Sequence, residues 1–253
     1  GLSGGIDSAV VAALSVSALG RERVIGVLMP TGYTSDTSIK DAQDLADALQ
    51  IKTLTFPIGD VLESYRQLFE AEFEINTGDL CEQNLQPRIR ANTLLALSNR
   101  YGWLVLTTGN KSESACGYST LFGDSAGGFA PIKDLYKYQV YALGKTLNKL
   151  LGTQVITESV FNKAPTAELY PGQTDQDRLP PYEEVDPIVR LLVEERYSAD
   201  EIIKEGFREE SVHKVCELYI RSEFKRRVNP IGPKLTKVSF NGEQGLPITQ
   251  RWV

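Results

Sequence analysis

The first eight residues, Gly1-Leu2-Ser3-Gly4-Gly5-Ile6-Asp7-Ser8, run straight into an apolar, alanine-rich stretch over 9–19. Two adjacent glycines between hydroxyls, then an acid, then a helix, confine the backbone to a tight loop on a helix N-terminus. Glycine lets backbone approach an anion closely, and the free N–H groups and positive dipole of the helix start attract one. Ser3 and Ser8 can donate to phosphate oxygens. Asp7 would repel a bare phosphate, which points to a bridging divalent cation, most simply Mg2+. A Walker A loop needs a Lys that this stretch lacks. On these residues alone, a Gly-Gly turn ahead of an ordinary capped helix stays open.

Beyond the alanine-rich stretch the chain reads as alternating strands and helices. Residues 24–29 predict a buried strand ended by Pro30, and 52–56 a second, ended by Pro57. Apolar residues at helical spacing fill 39–49 and 61–73. Ile89, Leu94, Leu95 and Leu97 mark a helix ending near Gly102, and 103–108 read as a third strand. Alternation without hairpin signals predicts an α/β fold, a doubly wound parallel sheet with flanking helices. Ligands in such sheets sit at the carboxyl ends of strands, which here brings 1–7, 29–31 and 108–113 to one crevice. A helix over 138–151 comes next. The Pro-rich, acidic stretch 153–186 is predicted as an ordered loop or a mobile lid. Helices over 188–197, 199–206 and 212–227 and an extended tail from Asn229 complete a helical C-terminal part.

At 253 residues and 42% hydrophobic content, the chain can bury the core of one domain, 1–253. Its net charge of −6 argues against nucleic acid as a partner. Between Arg221 and Lys237, however, Arg221, Lys225, Arg226, Arg227, Lys234 and Lys237 face one acid, Glu223, which predicts a basic patch for a small anionic ligand. Cys81, Cys116 and Cys216 are too scattered for a zinc or disulfide framework and fit reduced thiols in the cytoplasm. No apolar run is long enough to span a membrane. His213, the one histidine, falls mid-helix and supports neither a His-based triad nor a His metal site. The loop opens the chain with no strand ahead of it, and an upstream strand is expected to precede residue 1.

Two further stretches carry chemistry. Thr108-Gly109-Asn110-Lys111-Ser112-Glu113 comes directly after a predicted strand. Thr108 could bond a nucleotide, and Glu113, one helical turn in, could hold a metal, a ribose or an amide donor. A plain helix start with a first-turn acid is the alternative. Next, glycines at 117, 123, 127 and 128 punctuate one polar loop. They shape backbone for a ligand or a partner, or leave it flexible.

Residues 3–8 resemble the S-G-G-x-D-S loop of the ATP-pyrophosphatase superfamily, whose fold is adenine nucleotide alpha-hydrolase-like. Residues 84–90 (Asn-Leu-Gln-Pro-Arg-Ile-Arg) and 107–113, Gly117-Tyr118, Gly123-Asp124, Gly127-Gly128-Phe129, Lys133-Asp134, the block 163–169 and Phe224-Lys225-Arg226-Arg227 are together similar to NAD synthetases. The likeness runs in order from residue 1 to about 240 and is closest to the synthetase domain of the long, glutamine-dependent form.

The resemblance implies ATP-dependent amidation of deamido-NAD to NAD through an adenylate, releasing AMP and pyrophosphate. Ammonia would come directly or from glutamine by an upstream, nitrilase-like glutaminase domain. It implies that Gly1, Leu2, Ser3, Gly4, Gly5, Ile6, Asp7 and Ser8 hold the ATP phosphates, that Thr108 contacts ATP, and that Asp7 and Glu113 hold Mg2+. By the same likeness Asn84, Arg88, Glu113 and Lys225 contact deamido-NAD. Lys137 and Thr166 steady the triphosphate and the leaving pyrophosphate, Thr166 from a loop closing over the site. A homodimer or higher homo-oligomer is also implied; the apolar helices around 58–101 could supply its surface. Thr120 departs from the short, ammonia-dependent members, which carry a Lys there. Another adenylating amidotransferase, or an ATP-binding module without turnover, are the competing readings; an acidic body and the lack of a cysteine pair weigh against tRNA thiolation.

Overall fold

The alanine-rich run is a helix buried on nearly every side. In the computed structural model, which describes residues 1–243 and 245–248, α1 (Ile6–Leu19) buries Ile6, Ala9, Val10, Ala12 and Ala13. Side chains this small let neighbours approach closely all round. β1 (Ile25–Leu28) comes next, then α2 (Asp36–Leu49), N-capped by Ser35 Oγ, which accepts the Ser38 N–H at 3.1 Å. β2 (Lys52–Thr55) pairs parallel with β1, from Ile25–Lys52 to Leu28–Thr55. On the other edge of β1, Leu2 forms a parallel bridge to Leu28. Alternate residues of β1 feed opposite faces. Leu28 packs with α1 and α2. Val27 and Met29 pack with Ile58, Leu62 and Ile89 of the segment holding α3 (Gly59–Phe69) and α4 (Leu80–Tyr101). Helices therefore flank both faces of a parallel sheet, the α/β architecture expected.

A second core lies beyond the sheet. α5 (Lys111–Cys116) packs with α8 (Tyr182–Val193), α9 (Ala199–Lys204) and α10 (Glu209–Arg221) around Val185, Ile188, Val193, Ile202, Val212 and Val215. α6 (Lys137–Leu150) lies along α1, with Val140 and Leu147 in the first core, and so bridges the two.

Several expectations are corrected. Residues 103–108 do not form a ladder. Among the described residues their backbone pairs only with 128–129, through one bridge from Leu106 to Phe129. Apolar sequence reports burial, not an available hydrogen-bonding neighbour. α4 starts well before Ile89 because Asp79 Oδ1 caps it, accepting the Glu82 N–H at 2.7 Å; Pro87 removes only one ladder donor. The stretch 153–186 is ordered and contains α7 (Glu158–Asn162), and α8 begins at Tyr182, with Glu183 and Glu184 suiting its positive first turn. The helix expected over 212–227 breaks at Ser222 into α10 and the short α11 (Glu223–Arg226).

Among the described residues, five of the six basic side chains of the expected patch pair with acids. Arg221 pairs with Glu217, Arg226 and Arg227 with Glu223, Lys234 with Glu243, and Lys237 with Glu195. The tail has no helix or strand among its described residues, yet it is pinned. Lys133 Nζ donates to Pro230 O at 2.7 Å, and Asp134 accepts the Leu235 and Thr236 amides, each at 2.7 Å. The predicted tail's residues 244 and 249–253 lie outside the described residues. His213 is half-exposed beside Glu209 on α10, as a surface residue should be. Among the described residues no helix is long and apolar enough to cross a membrane.

Burial separates the three thiols. Cys81 is exposed, while Cys116 and Cys216 are buried and Cys116 is pushed up to about 12 by burial. At pH about 8, alkylation of the native protein mapped by mass spectrometry should label Cys81 well ahead of the other two.

Candidate active site

The loop 1–8 is shaped by close approach. Gly4 has φ 78°, and a Cβ there would lie 2.1 Å from Ser38 O, so only glycine lets the loop press against α2. The Ser3 and Ser8 hydroxyls share a hydrogen bond of 3.1 Å, Ser3 Oγ accepts the Gly5 N–H at 3.2 Å, and Ser8 Oγ donates to Gly5 O at 3.0 Å. Lys163 supports the loop from the side. Its Nζ donates to Gly4 O at 3.2 Å and to Ser38 Oγ at 3.1 Å, and pairs with Asp41 at 2.6 Å. Glu168, at φ 48°, accepts from Ser35 Oγ at 2.7 Å and Ser38 Oγ at 2.8 Å. The stretch carrying Thr166 is thus fastened to the start of α2.

At the head of α1, Asp7 meets groups from two other helices. Lys137 Nζ, from the first residue of α6, lies 2.5 Å from Asp7 Oδ2 and 3.3 Å from Glu113 Oε1. Asn110 Nδ2 donates to Asp7 Oδ1 at 2.8 Å, and Asn110 also caps α5, accepting the Glu113 N–H at 2.9 Å. Burial pulls the Lys137 ammonium down, but Asp7 and then Glu113 outweigh it and leave it raised. Glu113 is pushed up to about 8, first by burial and then by the charge of Asp7, with Lys137 opposing. Close by, Asp175 is raised by burial. It accepts from Tyr182 OH at 2.8 Å and meets the Tyr118 hydroxyl.

These groups border a cavity of about 1110 Å³. That lies at the upper end of small-molecule sites, enough for more than one nucleotide-sized ligand. Its wall takes in the loop apart from Gly4, and also Thr108, Glu113, Lys137, Asp175, Asn84, Arg88, Thr166 and Lys225. Every residue to which the resemblance assigns a role, Gly4 aside, therefore fronts one space. Several are already engaged. Asn84 Oδ1 accepts from Thr120 Oγ1 at 2.9 Å, so the residue in place of the short form's Lys holds Asn84. Arg88 donates to Leu121 O at 3.1 Å. Thr166 Oγ1 donates to Gln173 O at 2.7 Å. Lys225 Nζ donates to Gly117 O at 2.7 Å and Ser119 O at 2.6 Å, which orders the Gly-rich loop; burial lowers its pKa.

Known proteins share this sequence and fold. The model of the family described as NAD synthase matches residues 1–229. The chain belongs to the NAD synthase family. It is 52% identical over 252 residues to a glutamine-dependent NAD(+) synthetase of Thermotoga maritima, covering 100% of this chain and 44% of that relative. The solved glutamine-dependent NAD+ synthetase of Acinetobacter baumannii, in complex with ADP, is similar at a TM-score of 0.63 and 42% identity, over 98% of this chain and 44% of that one. The enzyme of Cytophaga hutchinsonii shares the fold, with a TM-score of 0.82 at 21% identity over 98% of this chain and 49% of that one. The chain thus spans less than half the length of these three proteins.

A Mg2+ ion, as the family implies, fits the groups present. Asp7 and Glu113 are two facing carboxylates with one ammonium between them, and Glu113 is raised first by burial and then by the charge of Asp7. Among the described residues no third metal-ligating side chain joins them. One or two carboxylates with substrate phosphates and water are the usual Mg2+ set. Sequence reading missed Asn110, Lys163, Glu168 and Asp175 as parts of the site. Asn110, Lys163 and Glu168 lay inside quoted motifs, but only the fold shows what they touch.

The proton on Glu113 makes stability depend on pH. An unfolded Glu titrates at about 4.3, so between about 4.3 and about 8 the folded chain holds a proton that the unfolded chain has lost. Stability contributed by Glu113 therefore falls as pH rises through that window, by on the order of 1 kcal/mol for each pH step of one. Glu113→Gln should flatten this decline in urea midpoints measured from pH about 5 to about 8.

Proposed function

We propose that the protein amidates deamido-NAD to NAD, using ATP and ammonia and releasing AMP and pyrophosphate. The observation that carries this is the buried Asp7–Lys137–Glu113 cluster at the head of a Gly-rich loop, facing a cavity sized for two nucleotides. In this reading the triphosphate lies on the loop, against the N-terminus of α1. The pyridine carboxylate of deamido-NAD attacks the α-phosphorus. An acyl adenylate forms and pyrophosphate leaves. Ammonia then attacks the activated carbonyl, and AMP departs.

The residues act chiefly by position and charge. Lys137 and the loop N–H groups offset charge growing on the pyrophosphate, with Thr166 at its outer end and Thr108 beside the ATP. Asn84, Arg88 and Lys225 line the end of the cavity assigned to the dinucleotide. Asp7 and Glu113 would hold Mg2+, which when bound neutralises phosphate charge. Asp175, beside this cluster, is a carboxylate suited to accept from an incoming ammonia N–H.

Ammonia is supplied directly or, in the intact protein, released from glutamine by a glutaminase domain upstream of this one. A cytoplasmic homodimer completes the proposal. The exposed Leu68, Phe73, Leu80 and Leu95 along and between α3 and α4 leave apolar surface for a second copy.

The test is product analysis of the intact protein with ATP, Mg2+, deamido-NAD and ammonium, then with glutamine. Equal amounts of NAD, AMP and pyrophosphate are expected, and Asp7→Asn should lower the rate by about 100-fold or more. ATP binding without AMP formation would favour a binding module. AMP formation with another carboxylate substrate but not with deamido-NAD would favour another amidotransferase.

A further inference from the structure

Lys137 is the first residue of α6, so the start of that helix decides where its ammonium points. The leading amides of a helix need acceptors from outside it. Here the residue before the helix is Tyr136, whose hydroxyl is committed to Glu194 at 2.6 Å. Two other elements supply the acceptors instead. The Lys137 N–H donates to Ser112 Oγ of α5 at 2.9 Å, and the Tyr138 N–H donates to Asp186 Oδ2 of α8 at 3.0 Å. Ser112 Oγ in turn donates to Asp186 Oδ1. Both side chains are buried, Ser112 at 0% exposure and Asp186 at 2%, so water cannot replace either. Ser112 also directly precedes Glu113.

We propose that Asp186 is a positioning residue for the reaction: through Ser112 it sets the register of α5 against α6, and with it the gap in which Glu113 and Lys137 face each other beside Asp7. One carboxylate from the helical second core thereby fixes Lys137 and Glu113 without touching either side chain. A cap needed only for stability could sit at position 136 itself. This one ties together the two helices whose relative placement the chemistry depends on. A shift of about 1 Å in such a pair can cost about 100-fold in rate with substrate binding little changed.

The inference rests on the amidation proposed above, and the experiment separates the two. Asp186→Asn keeps the shape, removes the charge and disrupts the relay; Ser112→Ala breaks the contact to Lys137 and leaves the Tyr138 cap. Each is compared with wild type in the intact protein, with saturating ammonium as donor, for kcat, for KM of ATP and deamido-NAD, and for folded fraction by circular dichroism. A kcat about 10- to 100-fold lower for Asp186→Asn, with both KM values within about twofold and the folded fraction unchanged, is the expected result. The kcat of Ser112→Ala should fall in the same direction. Unchanged kcat in either folded variant overturns the positioning role. So does a loss that tracks folded fraction or appears equally in KM. Should Asp186→Asn fail to fold, Ser112→Ala decides. A wild type that forms no AMP refutes the amidation instead.

Discussion

Lys137 Nζ stands 2.5 Å from Asp7 and 3.3 Å from Glu113, where α1, α5 and α6 meet and little water reaches. Burying an ion costs several kcal/mol, and a partner repays this only when the remaining hydrogen-bond positions are also filled. Asn110 fills one position on Asp7, and its own N–H fills one on Glu113 at 3.2 Å. Burial, then the charge of Asp7, raises Glu113 against the pull of Lys137. In the proposed function this pair of carboxylates, open to the cavity, is where a cation would sit.

A second buried ammonium shows the contrast. Lys111 Nζ lies 3.0 Å from both Asp134 and Glu194, donates to Val238 O at 2.6 Å and to Thr236 Oγ1, and stands over the Tyr136 ring at 4.9 Å. Its network is closed, away from the cavity wall, and it binds the C-terminal tail to the first residue of α5. Lys137 borders the cavity and Lys111 does not. Both ammoniums face two carboxylates, so what separates them is access: the Lys111 network is closed, and the Lys137 network opens on the cavity.

Much of this was legible in the chain. The Gly-rich loop, the first-turn acid of α5 and the strand–helix alternation are local signals, and local signals carry local geometry. Asp7, Glu113 and Lys137 could be named from motifs, but not that their charges meet, because 103 residues separate Asn110 from Asp7 and 130 separate Lys137 from Asp7. The basic run after Arg221 misled for the same reason: its acidic partners, Glu195, Glu217 and Glu243 among them, are spread over three segments. Residues 103–108 misled because an apolar run looks the same whether or not a neighbouring strand pairs with it. Asp186 carried no signal at all. The last residue of the Pro-rich, acidic stretch 153–186 reads as solvated until the fold buries it against the starts of two helices.

The proposed chemistry turns on a carboxylate of the second substrate attacking the α-phosphorus of ATP in this cavity. Deamido-NAD labelled with 18O in its pyridine carboxylate tests that step directly. One labelled oxygen should appear in the phosphate of AMP for each NAD formed. Label appearing in inorganic phosphate, with ADP as the other product, or AMP that carries none, would contradict it.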